Sequence, residues 1–141
     1  MSGRLAFRLA AAVLVLFAAL HTFGFLTFTP PTPEGLAVRD AMNNVGMHVG
    51  GDTFTYGGFY RGMGLSVTAY LVFCAIVAWQ LGALRDARQV FRVLAGSSIA
   101  VQIAGFALSC LYISLFPALF SAAVAALLAW GFVAREREPL S

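Results

Sequence analysis

Charged residues are scarce in this sequence, and lysine is absent. Of the 141 residues, 11% are charged and 60% are hydrophobic, and the mean hydropathy is +0.85. Soluble domains carry about 25% charged residues. A soluble fold of this length has too small a core to hide so much apolar surface. The composition therefore argues against a soluble protein and predicts a single membrane domain over residues 1–141.

The positive charges come from arginine alone. Nine arginines stand against six acidic residues and give a net charge of +3. They lie at the ends of apolar runs and form no continuous patch, so nucleic acid is not an expected partner.

Cysteine is nearly absent as well. The two cysteines, Cys74 and Cys110, form no CxxC pair, which excludes a zinc ribbon and a thioredoxin-like motif. Cys74 lies deep in one apolar run, about 22 Å from its start, whereas Cys110 lies near the outer end of the next. A disulfide needs Cα atoms within about 7 Å, so we expect two free thiols.

Long apolar runs dominate the rest of the chain. Four of them are long enough to cross a bilayer as helices, which takes about 20 residues: 5–28, 59–81, 90–112 and 117–134. They predict an all-α fold, a four-transmembrane-helix bundle that runs up-down-up-down. The first run also has the basic start of a signal peptide. No A-x-A cleavage site follows the run. We therefore expect the first helix to be retained in the mature protein, although its removal as a signal peptide stays open.

The arginines predict the orientation of the bundle. Seven of them fall on the side of the two termini and two on the other, and Trp79 and Trp130 fall near the side rich in arginine. This bias places both termini in the cytoplasm and the long connection 29–56 outside.

That connection carries local signals of its own. Thr32, Pro33 and Glu34 read as the N-cap, first-turn proline and acidic first turn of a short amphipathic helix on the membrane surface. A turn is predicted before the second span, at Gly50, Gly51 and Asp52.

Small and polar residues within the spans predict helix packing. Gly58, Gly62 and Ser66 are four residues apart, so they form one stripe on which a neighbouring helix could approach closely. Gln102 is the strongly polar side chain deep in the third span. We expect it to form an interhelical hydrogen bond worth about 0.5–2 kcal/mol.

A candidate polar pocket maps to the outer end of the bundle. It contains His21, His48, Asp52, Tyr56, Tyr60 and Arg61. One interpretation is a pocket in which Arg61 holds an anionic head group. The other is ordinary interfacial decoration, with the tyrosines in an aromatic belt, and it is favoured because nothing in the spacing is diagnostic.

No metal and no cofactor is expected. His21, His48 and Asp52 could supply three zinc ligands, but no HxxxH or HxxE pair fixes them. Haem is disfavoured because His48 lies in a loop. No acid or base lies in the middle of a span, which argues against a proton-coupled pump.

Two stretches carry recognisable motifs. The first is His21-Thr22-Phe23-Gly24-Phe25. The second contains Tyr56, Phe59, Gly62, Gly64 and Leu65, and its helix closes on Ala78-Trp79-Gln80-Leu81-Gly82. With these motifs the chain resembles a family of small bacterial four-helix membrane proteins with no known activity, whose first motif is H-T-x-G-F. The resemblance covers about the first 85 residues. Gly58 stands where the family has an aspartate, so a role for that acid does not transfer. The resemblance implies topology and no activity.

Two functions of different class remain. The favoured one is a non-enzymatic, lipid-binding, accessory or oligomer-forming subunit of the bacterial plasma (inner) membrane. Its partners would be membrane lipids and either further copies or another membrane protein. The alternative is a membrane-embedded enzyme or carrier for an amphipathic lipid-like molecule at the outer leaflet, with His21 or Asp52 as acid or base. The sequence does not decide whether the protein is an enzyme.

Overall fold

The fold is helical, with one short hairpin. The computed structural model describes residues 2–84 and 87–137, and within them it contains five helices and two strands: α1 Gly3–Thr27, α2 Pro33–Asn44, β1 Gly46–Val49, β2 Asp52–Thr55, α3 Tyr56–Ala83, α4 Arg88–Tyr112 and α5 Leu115–Glu136. The predicted all-α class is therefore confirmed for most of the chain.

Four of the helices, α1, α3, α4 and α5, are long and apolar enough to cross a membrane. Each begins two or three residues before the span predicted from hydropathy. The four long helices confirm the prediction of a membrane protein. No residue of the shorter helix α2 is buried.

The connection between α1 and α3 contains helix α2 and the β1–β2 hairpin. The predicted start of α2 is confirmed, since Thr32 Oγ1 accepts a hydrogen bond from the Gly35 amide at 3.1 Å and Pro33 opens the helix. The predicted turn is also confirmed. Gly50 and Gly51 have φ values of 62° and 94°, a region that favours glycine.

The hairpin itself is a correction to the sequence analysis, which placed no strand here. β1 and β2 pair antiparallel around the Gly50–Gly51 turn, with Met47 opposite Phe54 and His48 opposite Thr53. Each strand has four residues, too few for alternation to stand out. The signal that was missed is a Gly-Gly turn followed by β-branched and aromatic residues.

Contacts within the chain group into two compact units. The large unit comprises Met1–Phe17 and Leu71–Ser141, and the small unit comprises Ala18–Tyr70. Helices α1 and α3 are continuous and contribute residues to both units.

Phe7 lies at the centre of the large unit and is completely buried. Its ring meets Phe91 edge-to-face at 5.7 Å. It also lies over Gly131, where a Cβ would come within 2.9 Å of the ring. Four further large side chains are at most 1% exposed: Leu14, Leu81, Val124 and Leu128.

Helices α4 and α5 pack against each other. Gly105 of α4 lies beside Ser121 of α5, with 3.4 Å from its Cβ position to the Ser121 hydroxyl. Gln102 is 5% exposed on the same helix. No buried side-chain nitrogen or oxygen of the described residues lacks a hydrogen-bond partner. The interhelical hydrogen bond expected for Gln102 remains a prediction. Cys74 and Cys110 form no disulfide with each other.

Candidate functional site

The polar centre of the small unit lies where α1 faces α3. We call it the seam, and it consists of six residues: His21, Thr22, Phe25, Tyr60, Gly64 and Thr68. On α3, the last three are four residues apart and therefore share one face of the helix. On α1, the first three lie within little more than one turn.

His21 ties α1 to the backbone of α3. Its Nε2 lies 3.1 Å from the carbonyl oxygen of Gly64. A carbonyl only accepts hydrogen bonds, so Nε2 carries the proton and donates. The His21 side chain is half-buried. The imidazole thus joins the two helices, which is a structural use of this side chain.

Two threonines form the second polar link of the seam. Thr22 Oγ1 donates to the carbonyl of Ala18 at 2.8 Å and lies 2.8 Å from Thr68 Oγ1. A hydroxyl has one proton, so Thr68 is the donor to Thr22. Interhelical hydrogen bonds of this kind contribute about 0.6 kcal/mol each in membranes.

Phe25 fills the space that glycine leaves in the seam. A Cβ on Gly64 would lie 2.5 Å from both Cε atoms of the Phe25 ring. The ring stacks on His21 with centroids 5.8 Å apart, and it packs against Tyr60 at 5.3 Å. Gly64 is therefore the position at which α3 admits an aromatic side chain of α1.

The predicted packing stripe lies on another side of α3. Gly58, Gly62 and Ser66 are each two positions before a seam residue, which is a rotation of about 200° at 3.6 residues per turn. All three are exposed. Nothing lies within 4 Å of a Cβ on Gly62. The Ser66 hydroxyl donates to the carbonyl of Gly62 at 2.9 Å. A role for the stripe in packing against another chain remains a prediction.

The hairpin holds two residues of the predicted polar pocket. His48 Nδ1 lies 2.8 Å from Thr53 Oγ1 across the two strands, and Asp52 is exposed at the first position of β2. Phe54 on the other face of the hairpin stacks on Phe59 of α3, with centroids 6.2 Å apart. This contact fixes the hairpin against the start of α3.

The remaining pocket residues lie on the first turns of α3. Tyr56, Tyr60 and Arg61 are all exposed. Of the six predicted residues, His21 and Tyr60 are brought together through Phe25. His48 bonds within the hairpin. Within residues 2–84 and 87–137, no three histidine, cysteine or acidic side chains cluster as metal ligands would.

A second polar region lies in the large unit, and we call it the arginine end. There α1 and α4 begin, and α3 and α5 end. The helix backbones come close together at two glycines of this end. A Cβ on Gly3 would approach the carbonyl of Gly131, and a Cβ on Gly82 would lie 3.4 Å from the carbonyl of Arg4. Six of the described arginines lie at this end: Arg4, Arg8, Arg88, Arg92, Arg135 and Arg137.

Three of these arginines join helices. The Glu136 carboxylate accepts hydrogen bonds from Arg88 Nη2 at 3.2 Å and from Arg92 Nε at 3.1 Å, so it links α5 to the first turns of α4. Arg135 Nη1 donates to the carbonyl of Leu81 at 2.9 Å, which satisfies a backbone acceptor near the end of α3. The guanidinium of Arg135 also lies 4.8 Å from the centroid of the Phe91 ring.

Sequence reasoning found the seam only in part. It singled out His21 and Tyr60 as pocket residues but gave no role to Thr22, Phe25 or Thr68. The available signal was the pattern H-T-x-x-F, which puts a donor, a hydroxyl and an aromatic ring within one turn of a helix.

Comparison with known proteins does not place the chain in a family. No protein-family model matches the sequence, and neither a curated protein nor a solved structure matches it. The resemblance stated above therefore rests on the motif residues themselves, several of which form the seam.

Proposed function

We propose that this chain is a non-enzymatic membrane subunit that binds lipids, assists another membrane protein or assembles with further copies. One observation supports the proposal above others. In the most apolar stretch of each long helix, only 17–28% of the residues are buried within the chain. The apolar surface left over is far larger than water tolerates. Acyl chains or other membrane helices must cover it.

The seam supports a structural use of the polar residues. His21 donates to the Gly64 carbonyl, and Thr22 and Thr68 bond to each other. The Nε2 proton of His21 is engaged with the backbone of α3, so this ring nitrogen serves to join the two helices. The alternative of an enzyme or carrier for a lipid-like molecule, with Arg61 as the head-group ligand, remains a prediction from the sequence.

The topology that accompanies this proposal is an up-down-up-down bundle in the bacterial plasma (inner) membrane. Both termini and the arginine end would lie in the cytoplasm, and the hairpin would lie outside. The excess of arginine at one end supports this orientation. The exposed position of the hairpin strands supports their access to solvent.

Labelling of single cysteines tests the topology. In a background with Cys74→Ala and Cys110→Ala, we expect Val49→Cys to react with a membrane-impermeant maleimide added to intact cells. Arg137→Cys should react only after the membrane is permeabilised, because it would lie in the cytoplasm. Both positions are exposed, so access to the reagent depends on the side of the membrane. The reverse pattern would contradict the proposed orientation.

Native mass spectrometry of the protein extracted in mild detergent tests the function. We expect bound lipid or more than one copy per particle. Gly62→Ile should reduce the multimeric fraction, because it fills the open stripe on α3. Gly24→Ile is the matched control, since Gly24 is also a helical glycine with nothing within 4 Å of its Cβ position. A lone monomer without lipid or partner would remove the proposal.

A further inference from the structure

We propose that Arg4 and Arg8 of α1, with Trp79 of α3, form a binding site for the phosphate of an anionic phospholipid. The site deepens the proposed lipid-binding function and rests on it. It lies at the arginine end, within the large unit.

Within residues 2–84 and 87–137, neither Arg4 nor Arg8 pairs with a carboxylate. In the described part of the chain, Glu136 is the acidic residue of the arginine end and pairs with Arg88 and Arg92. Arg135 donates to the carbonyl of Leu81. Among the described arginines of this end, those that bind neither a carboxylate nor a backbone carbonyl are therefore Arg4, Arg8 and Arg137.

Arg4 and Arg8 are spaced to share one phosphate group. They are four residues apart on α1, which puts their Cβ atoms about 6 Å apart on one face of the helix. Both are exposed. A guanidinium presents a planar fork of donors that matches two phosphate oxygens. Two such forks, one turn apart, can hold the same phosphodiester from two sides.

Trp79 sets the depth of the site. The guanidinium of Arg8 lies 5.0 Å from the centroid of the Trp79 ring, and Trp79 is 52% exposed. Indole rings favour the head-group level of a membrane. The cation–π contact holds the Arg8 charge at that level, where the phosphate of a lipid lies.

The surroundings favour a lipid over a soluble anion. Leu5 and Leu9 follow the two arginines in sequence and are 46% and 40% exposed. Each arginine is thus flanked by an exposed leucine about 100° further around the helix. This edge offers charge to a head group and apolar surface to the acyl chains attached to it. A soluble phosphate would use only the charge.

Quenching of Trp79 by brominated lipids tests the site. The full chain carrying Trp130→Phe is reconstituted into phosphatidylcholine vesicles, with either brominated phosphatidylglycerol or brominated phosphatidylcholine at the same fraction. Each arginine near a membrane surface favours anionic lipid about fivefold. We therefore expect phosphatidylglycerol to be enriched about fivefold or more at Trp79. Vesicles of one composition on both faces make the result independent of orientation.

A matched pair of variants separates a site from general charge. Arg4→Gln with Arg8→Gln should abolish the preference for phosphatidylglycerol. Arg88→Gln with Arg92→Gln removes the same charge from the same end, yet it should leave the preference within about twofold, because both guanidiniums are bound to Glu136 and lie on α4, outside the proposed site. Equal losses in both variants, or no preference in the parent, would overturn the site. Relief of quenching by soluble glycerophosphoglycerol would also overturn it, since a soluble phosphodiester would then bind as well as the lipid.

This experiment distinguishes the site from the proposed function. Equal quenching by both brominated lipids would show a chain embedded in the bilayer without an anionic site, so the membrane function would stand and the site would fall. If neither brominated lipid quenched Trp79, the result would contradict both the anionic-lipid site and the proposed membrane function.

Discussion

Gly64→Ala is expected to destabilise the small unit, although alanine favours helix more than glycine does. The new Cβ would lie 2.5 Å from both Cε atoms of Phe25. The ring can move away only by losing its packing on His21 and Tyr60. Overpacking of this kind costs about 1–3 kcal/mol, whereas the gain in helix propensity is at most about 1 kcal/mol. The net effect is therefore a loss.

The measurement is the labelling rate of a buried thiol in the small unit. Ala18 is 4% exposed, so Ala18→Cys in a background without Cys74 and Cys110 reacts only when the unit opens. Gly64→Ala should raise this rate. Gly62→Ala is the matched control, because its Cβ would meet nothing within 4 Å. It should leave the rate unchanged or lower it.

Removal of the Phe25 ring should suppress the effect of Gly64→Ala. In the Phe25→Ala background, the added methyl group has space, so the second substitution should cost less than it does alone. The difference is the coupling between the two positions. Equal labelling rates for Gly64→Ala and Gly62→Ala would show that the ring adjusts without cost and that Gly64 is not a packing position.

Length and local capping rules made the helices predictable. A run of about 20 apolar residues has one stable conformation in lipid, because the backbone must satisfy its own hydrogen bonds. The start of α2 followed from Thr32, Pro33 and Glu34, whose preferences act within one turn. Such signals need no knowledge of the rest of the fold.

The face on which each helix packs was not predictable in the same way. A membrane helix is apolar on all sides, so hydrophobic periodicity does not distinguish the side facing protein from the side facing lipid. The stripe at Gly58 and Gly62 met the small-residue rule, yet Phe25 packs at Gly64. The choice depends on the shape of the partner helix, which carries its aromatic residue one turn after His21.

The hairpin between α2 and α3 was missed for a different reason. It has strands of four residues, and isolated two-stranded hairpins are marginal in water. Its position depends on contacts distant in sequence, such as Phe54 on Phe59 and the Tyr56 amide on the carbonyl of Val45. His48 was assigned to a pocket, whereas its hydrogen bond to Thr53 depends on a strand register that was not predicted.

Phe7→Ala is expected to be among the most destabilising single changes in the large unit. The side chain is completely buried and fits between Phe91 and Gly131. Helices separated in a membrane still keep their side chains in an apolar solvent, so the loss comes from the cavity and not from transfer into water. At about 24 cal/mol per Å³ of cavity, loss of a phenyl ring costs about 2 kcal/mol. The measurement is the unfolding midpoint in dodecyl sulfate, followed by the fluorescence of Trp79 and Trp130.

Phe73→Ala is the matched control for this change. Phe73 lies on α3 in the same unit but is 62% exposed, so lipid fills the space left by its ring and the midpoint should hardly move. Gly131→Ala completes the comparison. Its Cβ would lie 2.9 Å from the Phe7 ring, so it should lower the midpoint in the parent and lower it less in Phe7→Ala, where the ring is gone. Equal midpoints for Phe7→Ala and Phe73→Ala would mean that the large unit does not depend on the packing around Phe7.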